Sequence, residues 1–76
     1  MQSMNDATQV EYDAETRTAI VTFAEDDVDM INVIACCVHG SGGRVEIIRI
    51  FARQRLAAEY RRNDDGFDLV ARQTLQ

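Results

Sequence analysis

The sequence predicts an α+β fold: an antiparallel sheet of about five strands with one helix packed on one face, in the order β-β-α-β-β-β. Three observations point there. The longest apolar run, DDVDMINVIACCVH from Asp26 to His39, has helical periodicity. Segments of alternating or β-branched character lie on both sides of it. Turn-rich stretches (AETR, HGSGG and NDDG) separate the pieces.

Residues 1–8, MQSMNDAT, read as a flexible N-terminus, and residues 9–72 as the single α+β domain. Gln9–Asp13 alternates, and Thr18–Phe23 (TAIVTF) is rich in β-branched and aromatic residues. Joined by Ala14-Glu15-Thr16-Arg17, they make a hairpin.

On a helix spanning Asp26–His39, the polar positions Glu25, Asp29, Asn32, Cys36 and His39 fall on one stripe. Val28, Met30, Ile31, Val33, Ile34, Ala35, Cys37 and Val38 cover the rest. Asp26 is placed to cap the N-terminus with Asp29 completing a capping box, and Gly40 to take the left-handed position after the last turn. The β-branched content also admits a buried strand pairing Val33–Val38 with Val45–Ile50. The caps and the acids at the positive end of the helix dipole favour the helix.

Arg44–Ala52 (RVEIIRIFA) is the strongest strand, apolar on both faces. With the helix over Val45, Ile47 and Phe51, Ile48 and Ile50 face outward beside Val70, as an interface. Propensity reads residues 53–63 as helix, giving the alternative β-β-α-β-α-β. Pattern reads a hairpin instead: Asn63-Asp64-Asp65-Gly66 suits a turn that sets Arg62 opposite Phe67, Arg61 opposite Asp68, Tyr60 opposite Leu69 and Ala58 opposite Ala71. Leu56, Ala58, Tyr60, Phe67, Leu69 and Ala71 then share one face. Residues 73–76 read as a frayed C-terminus.

The 76 residues suffice for one small domain, and the 46% hydrophobic content suffices for a core. No window is long and apolar enough to span a membrane, and the first residues lack the pattern of a signal peptide, so a cytoplasmic protein is expected. Two adjacent cysteines cannot staple a secreted mini-protein. Absence of lysine and proline beside abundant arginine, alanine, aspartate and valine reads as a GC-rich genome, bacterial or that of a phage of such a host.

The net charge of −5 is uneven: residues 1–38 carry eight acids against Arg17 alone, whereas residues 39–76 carry five acids and seven arginines. An acidic chain argues against direct nucleic-acid binding and for a basic protein or nucleoprotein partner.

Candidate chemistry is sparse, and neither a catalytic residue nor a cofactor is expected. Cys36, Cys37 and His39 fall short of four zinc ligands, and a helix C-terminus disfavours a thiolate. HGSGG follows the helix instead of opening one and lacks Gly-Lys-Ser/Thr, so it is a reversal and not a phosphate loop. Arg53, Arg55, Arg61 and Arg62 around Tyr60 are diluted by Glu59, Asp64, Asp65 and Asp68, as in a salt-bridged sheet surface.

The expectation is therefore a non-catalytic protein-binding module. Its partner-binding residues would be Glu11, Asp13, Glu15, Glu25, Asp26, Asp27 and Asp29 as an acidic patch, with Ile48 and Ile50 as the apolar part. By analogy of size and charge alone, it suits a phage or mobile-element inhibitor, anti-CRISPR-like or anti-restriction-like, that occludes a basic groove of a host nucleic-acid-handling complex. The alternatives are a small homodimeric structural subunit, or a redox or metal sensor using Cys36, Cys37 and His39.

Overall fold

The computed structural model describes residues 2–72. After a 3₁₀ turn at Met4–Asp6 come β1 (Gln9–Asp13), β2 (Thr18–Phe23), α1 (Met30–Gly40), β3 (Ile47–Ala52), β4 (Arg55–Asn63) and β5 (Gly66–Arg72). The fold is α+β, with one five-stranded sheet in the order β1-β2-β3-β4-β5. Of the segment read either way, Arg55–Asn63 is strand, and Arg53 and Gln54 form the turn before it.

The sheet is mixed, not antiparallel throughout: β2 and β3 run parallel, Thr18 beside Ile47 and Phe23 beside Ala52. The helix between them explains this. An 11-residue helix is roughly 16 Å long, about the length of β2, so α1 carries the chain back to the level where β2 began. The other pairings are antiparallel hairpins.

The helix begins later than Asp26. Asp29 is its cap, accepting the Asn32 N–H at 3.2 Å. Residues 26–28 stay outside the helix because Val28 turns inward and bridges to Gln2: Gln2 donates to the Asp27 carbonyl at 2.5 Å, and Asp29 N–H donates to the Gln2 carbonyl at 2.6 Å. At the other end Gly40 is still helical. Gly42 and Gly43 take φ of +66° and +79°, and their N–H groups bond the carbonyls of His39 and Val38, closing a Schellman motif with Gly42, not Gly40, in the left-handed position after the helix.

Val33 and Cys37 of α1 pack on Ala19, Val21, Phe23, Ile48, Ile50 and Ala52. The outward placement of Ile48 and Ile50 is therefore overturned: both are 0% exposed beneath the helix, while Ile47 and Phe51 lie on the helix-free face. The reason is a break in alternation before the strand. The Arg17 carbonyl accepts both Glu46 N–H and Ile47 N–H, so Val45 is buried ahead of β3 and the parity restarts at Ile47. Ile31, assigned to the apolar arc, is 82% exposed.

Two β-bulges shift faces further. In β4, Ala57 is the extra residue, so Leu56 pairs with Phe51 on the helix-free face. In β5, Val70 is extra, so Ala71 lies opposite Glu59 and Arg72 opposite Ala58. The predicted pairs 62/67, 61/68 and 60/69 hold.

Residues 2–8, expected to be flexible, make the Gln2 bridge and donate Met4 N–H to Asn32 Oδ1 at 2.8 Å, and Thr8 N–H bonds the Thr22 carbonyl. Residues 73–76 lie outside the described residues.

Candidate protein-binding surface

Because α1 covers only one face, the strand registers assign what the other face carries. Three rows cross it: Gln9, Thr22, Phe51 and Leu56; Glu11, Ile20, Arg49, Glu59 and Ala71; Asp13, Thr18, Ile47, Arg61 and Asp68. Ile20, Ile47, Phe51 and Leu56 are half-buried and stand outside the core beneath the helix. Between them Glu59, with its side chain only 14% exposed, holds Arg49 at 2.9 Å and Arg61 at 3.5 Å. Strand pairing thus neutralises the arginines and leaves β1 to set the sign of the margin.

The seven acids do not form one patch. Glu11 and Asp13 lie on the helix-free side of β1, with Glu15 in the turn after it; Glu25, Asp26, Asp27 and Asp29 sit beyond the opposite end of β2. Along β2, Asp13 is level with Thr18 and Glu11 with Ile20, about 17 Å and about 10 Å from the Phe23 end where the second group begins. The second group is also engaged within the fold. Arg53 meets both Glu25 and Asp26 at 3.4 Å, Asp27 lends its carbonyl to Gln2, and Asp29 caps α1. In the first group Asp13 Oδ1 accepts the turn N–H groups of Glu15 (2.9 Å) and Thr16 (3.4 Å), and Glu11 accepts the Gln9 amide at 2.5 Å. All three side chains remain exposed.

On the helix side, a groove of about 170 Å³ separates α1 from β1, lined by Met4, Val10, Tyr12, Ala19, Cys36 and Cys37 among others. Val10 and Tyr12 are 53% and 41% exposed at its rim. A second groove lies between α1 and β5, at Met30, Ala58, Tyr60 and Leu69.

Cys37 is in the core, and burial, followed by the neighbouring Cys36, pushes its thiol up to about 11. Cys36 is half-buried with its Sγ 3.9 Å from Asn32 Oδ1, while His39 is exposed near the helix C-terminus. Among the described residues no three His, Cys, Asp or Glu side chains cluster as metal ligands, and no helix is long and apolar enough to cross a membrane.

Two features went unread in the sequence. Asn32 anchors the N-terminal segment, and the Arg53-Gln54 turn takes positive φ without a glycine or asparagine to announce it. Comparison with protein-family models, curated proteins and solved structures finds no match.

Proposed function

We propose that this chain is a small non-catalytic protein-binding module. It uses the helix-free sheet face, edged by the acids of β1, to engage a basic protein or nucleoprotein. The supporting observation is the juxtaposition of Ile20 and Ile47 with Glu11 and Asp13 on one face. Half-buried aliphatics supply contact that persists, and the exposed carboxylates favour a lysine- or arginine-rich partner and speed its arrival. This reading keeps Glu11, Asp13 and Glu15 and replaces Ile48 and Ile50 with Ile20, Ile47, Phe51 and Leu56. Glu25, Asp26 and Asp29 drop out because their carboxylates already serve Arg53 and the helix cap. A phage or mobile-element inhibitor that occludes a basic groove of a host nucleic-acid-handling complex fits the size and charge.

Affinity capture from a GC-rich bacterial lysate, at low and high salt, tests the proposal with two variants alongside the wild type. One is Glu11→Lys with Asp13→Lys; the other is Ile20→Lys. The expected result is one basic protein or complex retained at low salt, released at high salt and lost with both variants. Capture unchanged by either variant, or a doubled mass in solution with no basic partner, would overturn it.

A further inference from the structure

The acids and the exposed apolar residues of β1 alternate, and β1 is an edge. All five of its residues are exposed, and among the described residues it pairs with β2 alone. Its helix-side residues, Val10 and Tyr12, sit on the rim of the groove against α1; its helix-free-side residues are Gln9, Glu11 and Asp13. An edge strand offers backbone N–H and C=O groups to an added strand, and fold after fold blunts that hazard. The far edge of this sheet is blunted by the Val70 bulge, whereas the β1–β2 register runs from Gln9 to Asp13 without a shift.

We infer that β1 is a docking edge for an extended segment of the basic partner, which adds as a sixth strand. Its apolar side chains lie beside Val10 and Tyr12 and its lysines or arginines beside Glu11 and Asp13. The inference rests on the proposed function and specifies its mode. Charge selects the occupant. Cross-strand neighbours in an added strand face the same way, so a cation every second residue meets Glu11 and Asp13 on one side, and the intervening apolar residues enter the groove on the other. A second copy of this chain is a poor occupant: antiparallel pairing centred on Glu11 opposes that carboxylate to itself. The added strand also extends the helix-free face, so edge and face form one surface.

A capped synthetic peptide, Lys-Val-Lys-Val-Lys-Val-Lys, tests this against a peptide of the same composition in blocks, Lys-Lys-Lys-Lys-Val-Val-Val. Titration is followed by backbone amide shifts. The alternating peptide is expected to bind at least about tenfold more tightly, a difference of about 1.4 kcal/mol, with shifts concentrated on Gln9–Asp13. The Glu11→Lys, Asp13→Lys variant is expected to reverse the preference toward Glu-Val-Glu-Val-Glu-Val-Glu. Equal affinity for alternating and block peptides, or no binding of either, would overturn the edge assignment. Shifts over Ile47, Phe51 and Leu56 instead of β1 would also overturn it, while leaving the sheet-face reading in place.

Discussion

Asn32 accepts the backbone N–H of Met4 through its side-chain oxygen at 2.8 Å, joining the first turn of α1 to a segment that precedes the sheet. The contact spans 28 positions in sequence and is half-buried. Beside it, Met4 and Ala7 pack on the core, and Met4 closes one side of the groove against β1.

Replacing Asn32 with alanine leaves the Met4 N–H without its acceptor and is expected to cost about 0.5–1.5 kcal/mol. The loss should be local. Hydrogen exchange at Met4 is expected to accelerate and proteolysis within residues 2–8 to increase, with the exchange of Ile48 and Ile50 amides hastened only as far as the global loss of stability requires. Unaltered protection at Met4 would show that apolar packing alone holds the segment.

The Arg53-Gln54 turn stores strain that one substitution should release. Ala52 pairs with Arg55, leaving a two-residue loop whose members have φ of +53° and +65°. A hairpin twist demands such angles, and glycine meets them without the penalty of roughly 1–2 kcal/mol that a side chain adds. Gln54→Gly is therefore expected to stabilise the protein by about 1 kcal/mol, raising Tm by roughly 4–8 °C. Arg53→Gly should gain less, because it removes the contacts to Glu25 and Asp26, although exposed pairs of that kind contribute little. Thermal unfolding of the two variants decides the matter, and a lowered Tm for Gln54→Gly would refute the strain argument.

The same turn marks where the sequence was legible and where it was not. The first hairpin could be read to its end residues because Gln9–Asp13 and Thr18–Phe23 alternate or branch and AETR separates them. The last hairpin could be read because Asn63-Asp64-Asp65-Gly66 is a turn by composition, and its first three pairs followed from alternation. Between them, Arg53-Gln54 looks helical by propensity, since nothing in either residue type announces positive φ. Bulges at Ala57 and Val70 are equally silent, yet each moves every later side chain to the other face. The helix face of β3 was misread for a similar reason: Val45 and Ile47 share a parity in sequence but not in space. Charge counting gathered all seven acids into one patch, because composition is blind to β2, which sets Glu11 and Asp13 apart from Glu25–Asp29.

Inverting that face assignment yields a direct contrast. Ile48 and Ile50 are fully buried between β2, β4 and α1, so Ile48→Ala and Ile50→Ala are each expected to cost about 2–5 kcal/mol. Ile31, although inside the apolar run, projects from the helix, and Ile31→Ala is expected to stay within about 0.5 kcal/mol of wild type. Denaturant midpoints for the three variants test this. Comparable losses at Ile31 and Ile48 would contradict the burial of one and the exposure of the other.

Cys37 makes stability depend on alkaline pH. Its thiol is pushed from 9.0 up to about 11, chiefly because the side chain is only 6% exposed and secondarily because a Cys36 thiolate would repel it. The fold thus disfavours the charged form. Below about pH 9 the thiol is protonated in both states and its contribution is fully present. Between about pH 9 and 11 the unfolded chain gives up this proton while the folded chain keeps it, so stability falls. A two-unit shift corresponds to at most roughly 2–3 kcal/mol across that window. Cys37→Ala is expected to cost about 1 kcal/mol near pH 8 and to flatten the decline between pH 9 and 11, whereas Cys36→Ala should leave most of it. Urea midpoints at pH 8, 9.5 and 11 provide the measurement. Parallel profiles for wild type and Cys37→Ala would mean that this thiol does not carry the alkaline loss.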